Sequence, residues 1–245
     1  MANPVDFPKA SSDLIDELVL GNRILFNQKI VDGLGHLSAR HDKNPNMYLM
    51  SRMRAPGLVG AGDIITYDLD STPLNDDRKS YNERYIHGEI YKLRPDVKAI
   101  VHCHTKALIP FSVTKVPLQP IYHMGGFLGK GVPIFEIRHA TDKPTNMLVR
   151  DPHLGHALAV SLADKSIVLM RGHGATLVGS SIKNAVYRAI YAAENAELQM
   201  AAMRMGDVTY LSREEAQLGQ EVNETNETSL DRPWSNWKFQ LTGKE

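Results

Sequence analysis

Residues 94–104 read RPDVKAIVHCH, and this stretch decides the centre of the fold. Pro95 has no backbone N–H and cannot continue a helix, so any helix that precedes it has to end there. Residues 97–102 are mostly apolar and include β-branched side chains, which favours a buried strand. The stretch therefore predicts a helix, a short turn and a strand in direct succession.

The predicted strand ends in two histidines. Because side chains alternate between the two faces of a strand, His102 and His104 present their imidazoles side by side while Cys103 points away. Two imidazoles on one face suit a cation such as Zn, Mn, Fe or Co. The alternative interpretation is an accidental pair in which each ring makes an ordinary hydrogen bond. The spacing alone leaves both interpretations open.

Working outward from this strand, hydrophobic periodicity and turn residues predict the other elements. Helices are expected at 12–29, 82–93, 105–113, 152–162 and 181–205, and strands at 37–40, 47–50, 64–67, 133–137, 167–170 and 175–178. Pro110 falls near the middle of the helix at 105–113 and is expected to interrupt it. Neither a linker nor an internal repeat divides this pattern, which predicts one α/β domain. Trp234 and Trp237 indicate that part of the polar C-terminal segment docks on a surface.

Composition excludes several classes of function. The chain has 245 residues, with 28 Lys plus Arg and 28 Asp plus Glu, so it lacks the basic excess that nucleic acids and anionic lipids attract. Its apolar runs are too short to span a bilayer, and its N-terminus lacks the apolar stretch of a secretory signal. Its single cysteine suits a reducing compartment. We therefore expect a cytoplasmic protein with no nucleic-acid partner and no membrane span.

Two further motifs carry side chains suited to metal chemistry. Glu83 and His87 are four residues apart and share one face of a predicted helix, where a carboxylate beside a metal can be a ligand or an acid/base. His173 lies between Gly172 and Gly174 directly after a predicted strand, so a tight turn can bring it close to a site. The alternatives are a solvated helix end and a turn histidine that faces water.

Four stretches together resemble the class II aldolase/adducin family. They are, in order, GHLSAR at 35–40, the helix that carries Glu83, RPDVKAIVHCH at 94–104 and MRGHG at 170–174. The resemblance implies a three-layer αβα domain around a mixed, mainly antiparallel sheet, with residues 1–210 as the catalytic domain and 211–245 as a C-terminal helix and tail. It also implies His102, His104 and His173 as ligands of a divalent cation, with Mn or Zn favoured and Fe or Co possible. Glu83 is then the catalytic acid/base.

The substrate residues depart from the aldolases of this family. Where those enzymes use small residues to cradle a phosphate, this chain has Gly35-His36, Ser51-Arg52-Met53-Arg54-Ala55-Pro56 and Tyr81-Asn82. Arg52 and Arg54 can pair with a carboxylate, because a guanidinium offers it two parallel hydrogen bonds. His36, Ser51 and Tyr81 are expected to line the same pocket. The alternative is that the arginines simply lie on a solvated loop.

These departures favour the branch of the family that decarboxylates aromatic or pyridine carboxylates. We expect a metal-dependent carbon–carbon lyase that acts on a hydroxylated aromatic or heteroaromatic carboxylate. Tyr122 or His123 is expected to serve the catalytic site of a neighbouring subunit, in a homotetramer with sites between subunits. The alternatives are an aldolase of a hydroxy-carbonyl substrate, a non-haem iron oxygenase and an adducin-like scaffold.

Overall fold

Seven short strands pair into one sheet in the computed structural model, which describes residues 7–141, 143–225 and 227–243. The strands are β1 (His36–Arg40), β2 (Met47–Ser51), β3 (Ile64–Asp68), β4 (Ala99–Cys103), β5 (Ile134–Phe135), β6 (Ile167–Met170) and β7 (Gly174–Gly179). Their order across the sheet is β3-β2-β1-β4-β7-β6-β5. The neighbouring strands are antiparallel except for β5 and β6. The predicted mixed, mainly antiparallel sheet is confirmed.

Helices cover both faces of this sheet. They are α1 (Ser12–Asn27), α2 (Arg84–Leu93), α3 (Ile109–Val113), α4 (Pro152–Leu162), α5 (Ile182–Met205), α6 (Arg213–Glu224) and α7 (Glu227–Thr242). Val101 of β4 packs in a core with α1, α5 and α7, whereas Ile100 packs in a second core with α2 and α4. This separation follows from the alternation of side chains along a strand. The three-layer αβα architecture is confirmed.

The segment around Pro110 differs from the prediction. The helix expected at 105–113 was wrong in extent, because only Ile109–Val113 is helical. The Thr105 hydroxyl donates to the distant carbonyl of Ile30 at 2.9 Å, which holds the chain in a turn before the helix. Pro110 therefore stands in the first turn, where its missing N–H costs no helical hydrogen bond, and it does not interrupt the helix.

The strand expected at 133–137 is also shorter than predicted. It covers Ile134–Phe135 and is followed by a 3₁₀ segment, Ile137–Ala140. The side chain of Glu136 accepts a hydrogen bond from the backbone N–H of Arg138 at 3.1 Å. That local bond caps the 3₁₀ turn and competes with continued pairing of the strand.

The C-terminal segment forms two helices, α6 and α7, where one helix and a tail were expected. Trp234 and Trp237 are each 6% exposed and belong to the core formed with α1 and α5. The ring of Trp237 lies 6.1 Å from that of Tyr191 on α5. The tryptophans therefore dock on their own chain, while the boundary at residue 210 stays a prediction. Among the residues that the structure describes, no helix is both long enough and apolar enough to cross a membrane.

Replacing Trp234 with Ala is expected to lower the free energy of unfolding by about 3–5 kcal/mol, because it leaves a cavity under α7. Phe239, on the same helix, is 52% exposed, so Phe239→Ala should change this free energy by less than about 0.5 kcal/mol. Urea unfolding followed by tryptophan fluorescence and circular dichroism measures both. Equal effects of the two substitutions would contradict the docking of α7.

Candidate metal centre

Four side chains from three separate parts of the chain meet at one end of the sheet. His102 ends β4, His104 follows it, His173 lies in the turn between β6 and β7, and Glu83 stands at the start of α2. We call these four residues the His/Glu cluster. Each offers one ligand atom, and these atoms all lie within 4.8 Å of one another. Tertiary structure therefore brings together residues that are up to 90 positions apart in sequence numbering, from Glu83 to His173.

The separations of the ligand atoms fit a single small cation. The Nε2 atom of His104 lies 3.2 Å from that of His102 and 3.0 Å from that of His173. Oε2 of Glu83 lies 3.5 Å from Nε2 of His102 and 3.6 Å from Nε2 of His173. A tetrahedral ion with bonds of about 2.1 Å requires ligand atoms roughly 3.4 Å apart. The donor set therefore suits a divalent cation without a large rearrangement.

Two of the histidines have their second ring nitrogen tied to the protein. Nδ1 of His173 lies 2.9 Å from the carbonyl oxygen of Met147, which can only accept, so this nitrogen carries the proton. Its Nε2 is then free to offer a lone pair to a metal. Nδ1 of His102 lies 3.3 Å from the Thr176 hydroxyl, which can accept in the same way. Such outer contacts fix the orientation of a metal-binding imidazole and its tautomer.

The loop before α4 supports the cluster with its backbone. The N–H of Val149 donates to Oε1 of Glu83 at 3.0 Å, which leaves Oε2 facing the histidines. Two residues earlier, the carbonyl of Met147 accepts from His173. Met147 has a φ of +70°, a conformation that is uncommon for a residue with a side chain. Unusual backbone conformations occur often at functional sites, and here one occurs in the loop that holds two members of the cluster.

The two glycines around His173 are required by local geometry. Gly172 has a φ of +62°, in the left-handed region that glycine adopts without steric cost. A Cβ atom at Gly174 would lie 2.0 Å from the carbonyl oxygen of Cys103, which no side chain could tolerate. The glycines therefore let the turn approach the end of β4 and bring His173 next to His104.

The electrostatics of the cluster favour the ionised form of Glu83 and the neutral form of His104. Burial alone raises the pKa of Glu83, but the charges and hydrogen bonds of His102 and His173 outweigh it and hold this pKa far below its ordinary value. Burial, followed by repulsion from His102 and His173, lowers the pKa of His104 to about 4. His104 is therefore neutral at neutral pH, the form in which an imidazole binds a metal.

The residues expected to bind substrate extend from the cluster as a series of contacts. His36 pairs with His102 across β1 and β4, and the two rings lie 5.0 Å apart. The ring of Tyr81 lies 4.7 Å from that of His36. The Tyr81 hydroxyl lies 3.3 Å from that of Ser51 and donates to the backbone carbonyl of Arg54. The structure thus places His36, Tyr81 and Ser51 between the cluster and the loop that carries Arg52 and Arg54, which we call the arginine loop.

Arg52 and Arg54 both contact Asp63, which the sequence analysis did not single out. Nε of Arg52 lies 2.7 Å from the Asp63 carboxylate, and Nε of Arg54 lies 3.3 Å from it. The side chains of the arginines are 32% and 37% exposed, so they are neither buried nor fully solvated. Two guanidinium groups share one carboxylate here, so Arg52, Arg54 and Asp63 together carry one net positive charge.

Tyr122 and His123 lie elsewhere in the chain. Tyr122 precedes a 3₁₀ segment, His123–Lys130, and its hydroxyl donates to Glu194 on α5 at 3.2 Å. His123 is exposed and contacts Asn223 on α6. In the part of the chain that the structure describes, neither residue makes a hydrogen bond or a ring contact with the His/Glu cluster. A role for either in the site of a neighbouring subunit stays a prediction.

The comparisons with known proteins agree with this fold. The family model of the class II aldolase and adducin N-terminal domain matches residues 16–200, and the chain belongs to this family. A decarboxylase of Talaromyces stipitatus, tropJ, is 40% identical over 200 residues, which cover 76% of this chain and 75% of the relative. The 3,4-dihydroxyphthalate decarboxylase of Arthrobacter keyseri is 31% identical over 193 residues, with 71% and 73% covered.

A solved structure extends the likeness to nearly the whole chain. The L-fuculose 1-phosphate aldolase of Glaciozyma antarctica superposes with a TM-score of 0.76 and covers 98% of this chain and 95% of its own. Its sequence identity is 22%, so this comparison concerns the fold alone.

Replacing Thr176 with Val is expected to weaken Zn²⁺ or Mn²⁺ binding by about 10- to 100-fold, because His102 loses the contact that orients its ring. Thr72 is exposed on a distant turn, so Thr72→Val is the matched control and should leave the affinity unchanged. Competition with a chelating dye measures the dissociation constants. An affinity of the Thr176 variant equal to that of the parent would contradict the orienting role.

Proposed function

We propose that this protein is a metal-dependent decarboxylase of a hydroxylated aromatic or heteroaromatic carboxylate. The observation that carries the proposal is the convergence of three imidazoles and one carboxylate, which His36 and Tyr81 connect to a partly exposed pair of arginines. The two relatives described above, both named as decarboxylases, support an enzyme of the carbon–carbon lyase class. The names of these relatives do not identify the substrate of this chain, so the substrate class is part of what we propose.

His102, His104 and His173 would hold the cation, with Glu83 beside it. A divalent cation bound there would supply positive charge that stabilises the electron pair left when a carbon–carbon bond breaks. Mn or Zn is the cation that we favour, and Fe or Co would also fit these ligands. Three nitrogen ligands leave room for substrate oxygen atoms, as a catalytic centre requires.

Arg52 and Arg54 would bind the substrate carboxylate. Asp63 holds the two guanidinium groups beside each other, and an incoming carboxylate can accept their remaining N–H groups. Tyr81 and Ser51 link this loop to His36 and so to the cluster. The substrate would then lie between the arginines and the ligands of the cation.

Glu83 would move the proton. In a metal-loaded centre His102 and His173 would be neutral ligands and would no longer hold the pKa of Glu83 down by their charge, so its carboxylate could accept the proton of the ring hydroxyl when the substrate binds. The bond between the ring carbon and the carboxylate then breaks, CO2 leaves, and the electron pair remains on the ring carbon. Glu83 returns the proton to that carbon, and a proton from water restores the hydroxyl. No oxidant or reductant enters this balance.

We also propose the assembly and location. Tyr122 or His123 would reach the site of a neighbouring subunit, and the assembly would be a homotetramer in the cytoplasm. The partial exposure of Tyr122 and the exposure of His123 are compatible with such a contact. Light scattering of the purified protein tests the assembly, since a monomer at micromolar concentration would rule it out.

The purified, Mn²⁺- or Zn²⁺-loaded protein is expected to release CO2 from a hydroxybenzoate, hydroxyphthalate or hydroxypyridine carboxylate without O2. Chelation should abolish turnover and the metal should restore it. Glu83→Gln should lower kcat by about 100-fold or more, because an amide cannot take up and return the proton. Glu89→Gln is the control, since Glu89 is equally buried on α2 but pairs with Lys92.

Other outcomes of this assay would favour other functions. Cleavage of a hydroxy-carbonyl sugar to an aldehyde would favour an aldolase, and strict dependence on O2 would favour an iron oxygenase. Full CO2 release after exhaustive chelation would falsify the metal-dependent reaction. Absence of turnover with all these substrates, in a protein that still binds a partner, would favour the adducin-like scaffold.

Arg54→Ala and Arg52→Ala are each expected to raise KM for the carboxylate by about 10-fold or more, with a smaller change in kcat, because the substrate loses a charged hydrogen bond before the reaction begins. Replacement by Lys should retain part of the affinity. Arg204→Ala, at an exposed position near the end of α5, controls for net charge. Steady-state kinetics that gave the parent's KM for both Arg52→Ala and Arg54→Ala would place the arginines outside the binding site.

A further inference from the structure

His87 shares a helix face with Glu83, yet it makes no hydrogen bond to the His/Glu cluster among the described residues. Instead, its Nε2 lies 2.7 Å from Nδ1 of His36, and its Nδ1 lies 2.6 Å from the Ser38 hydroxyl. The Ser38 hydroxyl lies 2.9 Å from that of Tyr91. All four residues are at most 2% exposed. They form one buried chain of hydrogen bonds, His36–His87–Ser38–Tyr91, which we call the histidine relay.

The relay follows from the alternation of β1 and the pitch of α2. His36 and Ser38 are two residues apart on a strand, so they share the face that packs against α2. His87 and Tyr91 are four residues apart on a helix, so they share the face that packs against β1. Two polar pairs therefore face each other in the buried layer between sheet and helix.

When both imidazoles are neutral, the hydrogen bonds of the histidine relay can run in either of two directions. In the first, Tyr91 donates to Ser38, Ser38 donates to Nδ1 of His87, and Nε2–H of His87 donates to Nδ1 of His36. His36 then carries its own proton on Nε2. Every donor between two members of the relay then has an acceptor, and the Nε2–H of His36 reaches solvent, since this nitrogen is not among the buried polar atoms that lack a partner.

The opposite direction leaves a buried donor without an acceptor. Nδ1–H of His36 would donate to His87, His87 to Ser38 and Ser38 to Tyr91, so that the Tyr91 O–H has to find another partner. Within the described residues, Ser38 is the one hydrogen-bond partner of that hydroxyl. Arg40, whose guanidinium lies 4.6 Å from the centre of the Tyr91 ring, has no acceptor atom. Because an unsatisfied buried O–H is costly, the first direction is favoured.

We infer that the histidine relay fixes His36 as the Nε2–H tautomer and so makes it a hydrogen-bond donor to an anionic oxygen of the substrate. Nε2 of His36 faces away from His87, and no described residue accepts a hydrogen bond from it. The neighbouring rings of Tyr81 and His102 place His36 between the arginine loop and the cluster. Tyr91, Ser38 and His87 are positioning residues that act through His36.

The donor assignment has a chemical consequence. An Nε2–H group complements a carboxylate or phenolate oxygen, but it cannot remove a proton from the substrate. That task stays with Glu83. The tautomer of His36 is a property of the protein alone, whereas the hydrogen bond to a substrate rests on the proposed function.

Nitrogen-15 NMR of the zinc-loaded protein, without substrate, tests the tautomer. With histidine labelled on both ring nitrogens, His36 is assigned by the signals that His36→Gln removes. We expect a protonated Nε2 and an unprotonated Nδ1. A protonated Nδ1 would overturn the inference, whatever the enzyme turns over.

Ser38→Ala tests the relay. It removes the hydroxyl that delivers a proton to His87, so the His36 signals should move towards those of a mixture of tautomers. Ser80→Ala is the matched control, because the Ser80 hydroxyl also pairs with a buried tyrosine, Tyr67, at 2.9 Å but lies outside the relay. His36 signals that respond equally to both substitutions would overturn the positioning role.

Kinetics with the carboxylate substrate test the donor. His36→Gln keeps an N–H group near the position of Nε2, whereas His36→Met has a similar length and no donor. We expect kcat/KM to fall by at least about 10-fold more for His36→Met than for His36→Gln. Equal kcat/KM values for the two variants, together with a confirmed Nε2–H tautomer, would overturn the contact between His36 and the substrate. The proposal that the protein is a decarboxylase would still stand.

Discussion

The structure depends on holding three imidazoles and a carboxylate with their ligand atoms within 4.8 Å of one another. Contacts from the surrounding protein orient three of these four side chains. The Met147 carbonyl and the Thr176 hydroxyl provide these contacts for His173 and His102, and the Val149 N–H provides one for Glu83. Strand β7 and the loop before α4 are therefore as necessary to the site as the ligands themselves.

The face of the sheet that carries the site is unusually polar for a protein interior. Residues of β1 and α2 bury two imidazoles and two hydroxyl groups between them, a position that apolar side chains fill elsewhere in the same layer. Buried polar groups are tolerated when every donor finds an acceptor, and a satisfied network rigidifies its surroundings. The same bonds that make this burial possible therefore also orient His36 towards the cluster.

The likeness to an aldolase fold leaves the chemistry to the pocket, because one fold can serve several reactions. The reaction that we propose depends on the region around Arg52 and Arg54. Asp63 draws both guanidinium groups to one point and neutralises one of their two charges. The remaining charge and the planar N–H groups suit a carboxylate, whereas a phosphate cradle of the nest type requires small residues and free backbone N–H groups.

The sequence by itself determined the strands apart from the extent of β5, the long helices and the candidate metal-binding motifs. Their signals are local: Pro95 ends a helix, alternation puts His102 and His104 on one face, and glycines flank His173. Tertiary structure alone decided the start of α3, the supporting roles of Met147 and Val149, and the partner of His87. These depend on contacts between distant segments, and backbone N–H and C=O groups occur at nearly every residue, so no residue type marks the ones that a site will use.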